Sequence, residues 1–249
     1  MKKLIGGLIG LLGLYNCDTN PPKLEAINTT QSNMNISSDP LVDAVLKEYE
    51  KTKDESKLEK AAKRLEAEHN YRGALSIYKT LNDKTSIKRV AVSYFNSSIL
   101  LTTGETILKE VGLEITAGLY SGRGDYQIKD GYLEAALESY AAVNDKIGIR
   151  KCAVAFEKGH KLRDAFDSYK LIDDETSMGR VAEKIFVITM FTDYGKKLLK
   201  DNGKEISPEL WNKRAEYQLR MHDYGAAIEA YKEASNEEAV KLILEKYTK

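Results

Sequence analysis

Three histidines are the first residues in this sequence that could do chemistry, because three imidazoles can together ligate a metal ion. They are His69, His160 and His222, and the chain has no others. Each lies at the predicted end of a first helix in an internal repeat, where a fourth segment has Gly131. A position that accepts either Gly or His is typical of the left-handed residue that ends a helix. We therefore interpret the histidines as turn residues and predict no metal site.

Two further motifs could carry chemistry, and both fall within predicted helices. Cys152 aligns with Ala61 in the internal repeat and lies on the predicted packed side of a first helix. We expect it to be a small buried hydrophobic residue and not a nucleophile. Arg123-Gly124-Asp125 spells an adhesion-type tripeptide, but a helical segment would not present it as a loop. We predict no catalytic residue and no cofactor, and therefore a protein that is not an enzyme.

The composition is typical of a globular, helix-rich protein. The chain has 249 residues, of which 42% are hydrophobic and 31% are charged. Basic and acidic residues both number 38 and are interspersed, so no basic block indicates a nucleic-acid partner. The chain has four prolines, and beyond Pro40 only Pro208 remains. Because proline breaks helix interiors, this distribution favours a long helical array.

Residues 1–17 are predicted to form a signal peptide. Lys2 and Lys3 precede an uncharged apolar run, residues 4–15, which is shorter than the about 20 residues that span a bilayer. The run ends in Leu14-Tyr15-Asn16-Cys17, which resembles the lipobox of bacterial lipoproteins, so Cys17 is a lipidation candidate. A plain signal peptide and an uncleaved anchor stay open as alternatives, and Cys17 is incidental in both. We expect the protein in the cell envelope, membrane-anchored or exported.

Residues 18–39 are predicted to form a flexible stalk. This stretch is rich in Asn, Thr, Ser and Pro and has few large apolar residues, so it cannot bury enough surface to order itself. Asp39 and Pro40 then match the N-cap and first turn of a helix, which we predict over residues 40–53.

A tandem duplication with an offset of 91 residues organises the rest of the chain. Residues 54–144 align with residues 145–235 without a gap, and 30 of the 91 positions are identical. Such internal identity is the signature of a repeat architecture. We predict that the two copies form the two halves of one helical array, followed by a C-terminal capping helix over residues 236–249.

Each half is divided further into three predicted helical hairpins. Pairs of short polar residues, which cap helix starts, recur with spacings of 62, 29 and 62 residues. Two antiparallel helices cannot bury both of their faces alone, so each pair must stack on the next. The recurring pairs are Asn82-Asp83, Asn144-Asp145, Asp173-Asp174 and Ser235-Asn236.

The hairpins resemble the tetratricopeptide repeat. That family has a small residue midway along the first helix, a small residue early in the second helix, and an aromatic residue four positions later. The last segment matches in type and spacing with Trp211, Ala215, Tyr224, Ala227, Tyr231 and Ala234. The small residues of the first helices are Ala62, Gly124, Ala153 and Ala215, with Ala91 and Ala182 in two weaker segments. The second helices supply Ala74, Ala136, Ala165 and Ala227, followed by Tyr78, Tyr140, Tyr169 and Tyr231.

The resemblance implies a fold, and the sequence departs from the family's repeat in two ways. It implies an all-α, right-handed solenoid of about six antiparallel helix pairs over residues 54–235. The proline that ends the family's repeat is replaced by the short polar pair, and the segments are shorter than the family's usual ~34 residues. The second segment of each half is degenerate around Thr103-Gly104 and Tyr194-Gly195.

The resemblance also implies a binding face. In this family the first helices line a concave groove that holds peptide ligands, and Arg and Tyr are enriched at binding hot spots. The alternative is that the Tyr and Gln side chains pack between repeats while the Arg side chains extend along apolar surface. The candidate residues for partner contact are Arg123, Tyr126 and Gln127, with their repeat equivalents Arg214, Tyr217 and Gln218.

Three functional hypotheses follow. The first is a membrane-tethered or exported scaffold that binds a protein or peptide partner and no nucleic acid. The second is an accessory or structural domain of an envelope enzyme system, which a cleft lined by perturbed carboxylates would favour. The third is a cytoplasmic helical scaffold with an N-terminal membrane anchor, which an uncleaved N-terminus would favour.

Overall fold

The computed structural model describes residues 39–247, which form fourteen helices and no strand, in two compact units. The first unit ends at Thr116 and the second begins at Ala117. The first contains α1 (Pro40–Thr52), α2 (Glu55–Ala67), α3 (Tyr71–Thr80), α4 (Lys84–Ser97) and α5 (Leu101–Glu110). The second contains α6 (Ala117–Lys129), α7 (Leu133–Ala142), α8 (Lys146–Lys158), α9 (Leu162–Leu171), α10 (Glu175–Ile188), α11 (Thr192–Asp201), α12 (Pro208–Arg220), α13 (Tyr224–Glu233) and α14 (Glu237–Tyr247).

Packing inside each unit runs between helices that are close in the sequence. In the first unit α2 packs on α3, α3 on α4 and α4 on α5, while α1 contacts both α2 and α3. In the second unit the same pattern runs from α6 to α11 and again from α12 to α14. First helices of successive pairs also touch, as α6 touches α8 and α10 touches α12. This sequential packing confirms the predicted all-α solenoid of helix pairs.

The helix boundaries repeat with the offset of 91 residues. Every helix from α2 to α7 has a counterpart from α8 to α13 with the same boundaries after that shift. α14 begins at Glu237, which is 91 residues after the start of α8 at Lys146, so it takes the place of a further first helix. The division of the array between residues 144 and 145 stays a prediction. The predicted signal peptide and almost all of the predicted stalk lie outside the described residues.

The histidines end first helices, as predicted. His69, His160 and His222 have φ angles of 59°, 58° and 62°, and Gly131 has a φ of 84° at the equivalent place. The amide of the next residue donates back across the turn, as Lys161 does to the carbonyl of Phe156 at 2.9 Å. This is the hydrogen bond that closes a left-handed helix end. The turn interpretation of the histidines is therefore confirmed.

The short polar pairs end one helix and begin the next. In each pair the first residue adopts the left-handed conformation, as Asn144 does with a φ of 54°. The second residue caps the following helix, as Asp145 does by accepting from the amide of Gly148 at 3.0 Å. The same division of roles is found at Asn82 and Asp83, where the cap accepts from two amides. The predicted caps are confirmed, and each pair connects two helices that only three residues separate.

Small residues keep the paired helices close together. The predicted small residues of the first helices are all buried, including Ala91 and Ala182 of the weaker segments. In the weaker segments Gly104 and Gly195 take the place of the second-helix alanine, and a methyl group at either would crowd Phe95 or Phe186. Leucine then replaces the tyrosine four positions later. The degenerate segments therefore still pack a small residue against the first helix, with glycine in place of alanine and leucine in place of tyrosine.

The repeated tyrosines are packing residues with a polar tip. Tyr78 and Tyr140 are 1% exposed, and their hydroxyl groups donate to Glu66 at 2.6 Å and Asp125 at 2.7 Å. Burial and the Glu66 carboxylate raise the pKa of Tyr78 to about 12. In the second unit Lys151, on the next first helix, binds Asp125 at 2.7 Å. Tyr78 and Tyr140 therefore each anchor an acidic side chain that also pairs with a basic residue of the following hairpin, Arg89 or Lys151.

Candidate partner-binding site

The predicted binding residues of α6 form a buried polar network. Arg123 is 0% exposed, and its Nη1 donates to the hydroxyl of Ser139 and, at 3.3 Å, to the carbonyl of Ala135. The Ser139 hydroxyl lies 3.2 Å from Oε1 of Gln127, which is also buried. A buried guanidinium is costly unless it is hydrogen-bonded, and α7 supplies these acceptors. The network therefore ties α6 to α7.

The equivalent residues of α12 are arranged differently. Arg214 is 3% exposed, and its guanidinium donates to the carbonyl of Phe186 and, at 2.8 Å, to the hydroxyl of Thr192. Burial lowers the pKa of Arg214 below its ordinary value. The guanidinium also lies 5.2 Å from the centre of the Phe186 ring, a cation–π contact. Arg214 therefore ties α12 to α10 and α11, and Gln218 is buried beside it on the same helix.

The two tyrosines of the predicted set keep accessible surface. Tyr126 and Tyr217 are half-buried, and the guanidinium of Arg220 lies 5.9 Å from the centre of the Tyr217 ring. The structure thus places Arg123, Gln127, Arg214 and Gln218 inside the helix pairs, as the packing alternative expects. Partner contact through this set stays a prediction, and its tyrosines keep the most accessible surface.

A groove lies between α11, α12 and α13 in the second unit. It encloses a cavity of about 220 Å³. Its floor is formed by Trp211, which is 7% exposed, and by Ala226 and Ala230. Apolar floors with a few convergent polar groups are typical of binding sites. The polar lining residues are Thr192, Asp193, Lys196, Arg214, Glu229 and Glu233.

One cation already lies over the aromatic floor of this groove. The Lys196 ammonium is 4.9 Å from the centre of the Trp211 ring and 3.9 Å from the Glu233 carboxylate. Trp211 is held from below by an edge-to-face contact with Phe186, with 4.9 Å between ring centres. The groove can therefore bind a cation on an aromatic face beside carboxylates, and Lys196 shows that arrangement within the chain.

Sequence reasoning did not identify this groove. It assigned Trp211 to the packed face of the first helix, with Ala215 and Leu219, and it did not consider Lys196 or Glu233. Tryptophan, however, is large and is often left with one accessible edge. One sequence feature could have indicated the groove: Trp211, the single tryptophan of the chain, occupies the repeat position where the first half has Tyr120.

The first unit has a cavity of about 340 Å³ between the end of α3, the start of α4 and the end of α5. Its charged lining residues, Lys79, Lys84 and Lys88 with Glu110, are exposed, and its apolar lining is limited to Ile87 and Val111. It has neither an aromatic floor nor a buried polar group, so we assign it no ligand.

Cys152 and the acidic residues do not form a reactive centre. Cys152 is buried, and burial raises the pKa of its thiol to about 12. The thiolate needed for nucleophilic attack is therefore strongly disfavoured. Among residues 39–247, no group of three His, Cys, Asp or Glu side chains could hold a metal ion. Over the same span, every helix is too short or too polar to cross a bilayer. Cys17 lies outside the described residues.

No protein-family model, curated protein or solved structure matches this chain.

Proposed function

We propose that this protein is a non-enzymatic, tetratricopeptide-like scaffold that binds a protein or peptide partner and is held at the cell envelope by its N-terminal segment. The supporting observation is the groove of α11, α12 and α13, where a buried tryptophan, three carboxylates and one lysine converge. The proposed contact thus moves from the buried arginines to the surface beside Arg214. A rigid helical array needs no cofactor for this role.

The chemistry of the groove specifies a partner segment with a basic side chain next to an apolar one. A lysine or arginine of the partner would replace Lys196 over Trp211 and pair with Glu229, Glu233 or Asp193. An apolar neighbour would cover Ala226 and Ala230. Because Lys196 is 3.9 Å from Glu233, its present ion pair is loose and exchangeable.

The test is selection of a random peptide library, displayed on phage, against the full-length protein. We expect enrichment of sequences that combine Arg or Lys with an aromatic or branched aliphatic residue. A selected peptide should lose about ten-fold or more in affinity when Glu229→Lys and Glu233→Lys are combined, because like charges then face each other. Isothermal titration of the synthetic peptide measures that loss.

The matched control reverses two other charges of the same unit. Asp201 and Glu205 are exposed, and Asp201 lies eight residues beyond Asp193 on α11, about 12 Å along the helix axis. Asp201→Lys with Glu205→Lys changes the net charge equally and should leave peptide affinity intact. A selection without enrichment, or equal losses in both double variants, would remove the groove from the proposal.

The proposed envelope tether has its own test. Intact mass spectrometry of the protein extracted from membranes of its native host should show a chain that begins at Cys17 and carries acyl groups. A chain cleaved nearby without acyl groups would indicate an exported protein. A full-length chain recovered from the cytosol would contradict the tether and favour the cytoplasmic scaffold.

A further inference from the structure

Two equivalent turns of the repeat expose neighbouring large apolar residues. In the turn between α10 and α11, Met190 is 87% exposed and Phe191 is 69% exposed. In the turn between α4 and α5, Ile99 is 60% exposed and Leu100 is 66% exposed. The two pairs are 91 residues apart and therefore occupy the same repeat position. In the part of the chain that the structure describes, other exposed large apolar residues are not adjacent in this way.

These apolar residues stand where a polar cap would stabilise a helix. Leu100 and Phe191 are the N-cap residues of α5 and α11, and neither helix has a side-chain cap hydrogen bond. Ser, Thr, Asp and Asn are strongly preferred at that position, and α4 and α10 use Asp83 and Asp174. Both halves thus forgo a stabilising cap at the same place for an exposed apolar side chain. α7 and α9 also begin without a side-chain cap, at Tyr132 and Lys161. The feature that sets the two turns apart is therefore the pair of adjacent exposed apolar residues, for which a surface role accounts.

The turns are also free of charge. No Asp, Glu, Lys or Arg lies within residues 97–104 or 186–192, and the polar residues there are mainly Ser and Thr. In the second unit, Ile188 is 39% exposed and widens the apolar tip, and the first charged residue after it is Asp193. Such a tip can enter a lipid interface without desolvating an ion, and its hydroxyl groups can meet the headgroup layer. A protein partner would ordinarily find some charge to fix its register.

We propose that these two turns, residues 97–101 and 188–192, are membrane-docking tips that insert their apolar side chains into the surface of a lipid bilayer. The proposed N-terminal tether supplies the proximity on which this inference rests. A coil the length of residues 18–39 has a typical span of about 25 Å. That span holds the array within reach of the bilayer, so that even weak tips engage it.

The experiment places a fluorescent reporter in the tip of the full-length protein. Trp211 is the single tryptophan of the chain and is buried, so the unaltered protein supplies the background signal. Phe191→Trp adds a second tryptophan at the exposed tip, and Leu100→Trp does the same for the other turn. Each protein is mixed with phosphatidylcholine vesicles whose acyl chains are either brominated or ordinary. Bromine quenches only tryptophans that enter the acyl region.

We expect brominated lipid to quench the tryptophan introduced at residue 191 or 100 and to leave Trp211 unquenched. The second change Met190→Asp, added to Phe191→Trp, replaces an apolar side chain of the tip with a charged one. It should lower the ratio of protein with an inserted tip to protein with a free tip by about ten-fold or more. The matched control is Met221→Asp. Met221 is also an exposed methionine, at 61%, but its repeat equivalent is the polar Asp130, so insertion should not change.

Three results would overturn the proposal. Protein that floats with the vesicles while the tip tryptophans stay unquenched would show that the N-terminal tether binds lipid and the tips do not. A blue shift of the tip tryptophan that depends on protein concentration, without lipid, would assign the tips to contacts between copies of this chain. Insertion reduced equally by Met190→Asp and Met221→Asp would point to a general effect of charge. None of these results depends on peptide binding in the groove.

Discussion

Gly124→Ala should destabilise the second unit although alanine is the better helix former. Gly124 lies in the middle of α6, and a methyl group there would come within 2.5 Å of Cζ and 2.7 Å of both Cε atoms of Tyr140. Tyr140 cannot move away easily, because it is buried, its hydroxyl binds Asp125, and its ring packs against Gly148 of α8. The other first helices have alanine at this position, but none of their tyrosines faces a second glycine as Tyr140 does.

The control is two residues away in the same helix. A methyl group at Gly122 would meet nothing within 4 Å. Gly122→Ala should therefore show only the helix-propensity gain, about 1 kcal/mol. Gly124→Ala gains the same amount but also overpacks the core, at a cost of about 1–3 kcal/mol. The difference in unfolding free energy between the two variants isolates the packing cost and should be about 1–3 kcal/mol.

The assay is urea unfolding followed by the fluorescence of Trp211, which lies in the same unit as Gly124. In a thermal scan the difference corresponds to about 2–4 °C for each kcal/mol in a chain of this size. Combining Gly124→Ala with Tyr140→Leu should recover part of the loss beyond the sum of the single changes, because the smaller side chain makes room. Equal stabilisation by Gly122→Ala and Gly124→Ala would refute the packing argument.

Three further predictions concern acid stability, thiol reactivity and the last helix. The Arg180 guanidinium, with Lys184, lowers the pKa of Glu157 to about 2 from the ordinary 4.5, so its stabilising effect is present above pH 4.5 and lost as the pH falls toward 2. Glu157→Gln should therefore lower stability at neutral pH and flatten its dependence on pH over that window, as acid titration followed by circular dichroism can check. Cys152 should resist maleimide labelling in the native protein and react after denaturation, as mass spectrometry can show; rapid native labelling would contradict its burial. Deleting residues 236–248 should uncover the face of α13 that packs on α14 and cause aggregation, and a soluble, fully helical truncation in light scattering would argue against nearest-neighbour stacking.

The helix pairs were predictable from the sequence because two local signals coincide at each of the four short polar pairs. A residue in the left-handed conformation ends one helix and the polar residue after it caps the next helix, as at Asn82 and Asp83. The duplication then shows which boundaries recur. The weaker segments looked degenerate because their small residue is Gly104 or Gly195 instead of alanine and a leucine replaces the tyrosine four positions later. Close packing of the helices requires a small side chain at the glycine position and not alanine in particular. A comparison of residue types therefore makes these segments look less regular than their packing is.

The orientation of the arginines was not predictable in the same way. Helical spacing places Arg123 and Gln127 on one stripe, but a stripe can face a neighbouring helix or solvent, and spacing does not distinguish the two. The deciding groups are hydroxyls on other helices: Ser139 for Arg123 and Thr192 for Arg214. They are not repeat equivalents of each other, since the second copy has Ala230 where the first has Ser139. Each copy thus satisfies its buried arginine separately, which a search for identical positions overlooks.

The proposed groove and the proposed membrane tip of the second unit share one helix. Phe191 of the tip and Asp193 and Lys196 of the groove all belong to the first turns of α11 or to its cap. Five residues separate Phe191 from Lys196, a rise of about 7–8 Å along the helix axis. A tip seated in the bilayer surface would therefore hold the groove at the level of the headgroups. The partner segment would then have to be one that also lies close to the membrane, and the basic side chain that the groove accepts suits that location, because anionic headgroups attract it to the same layer.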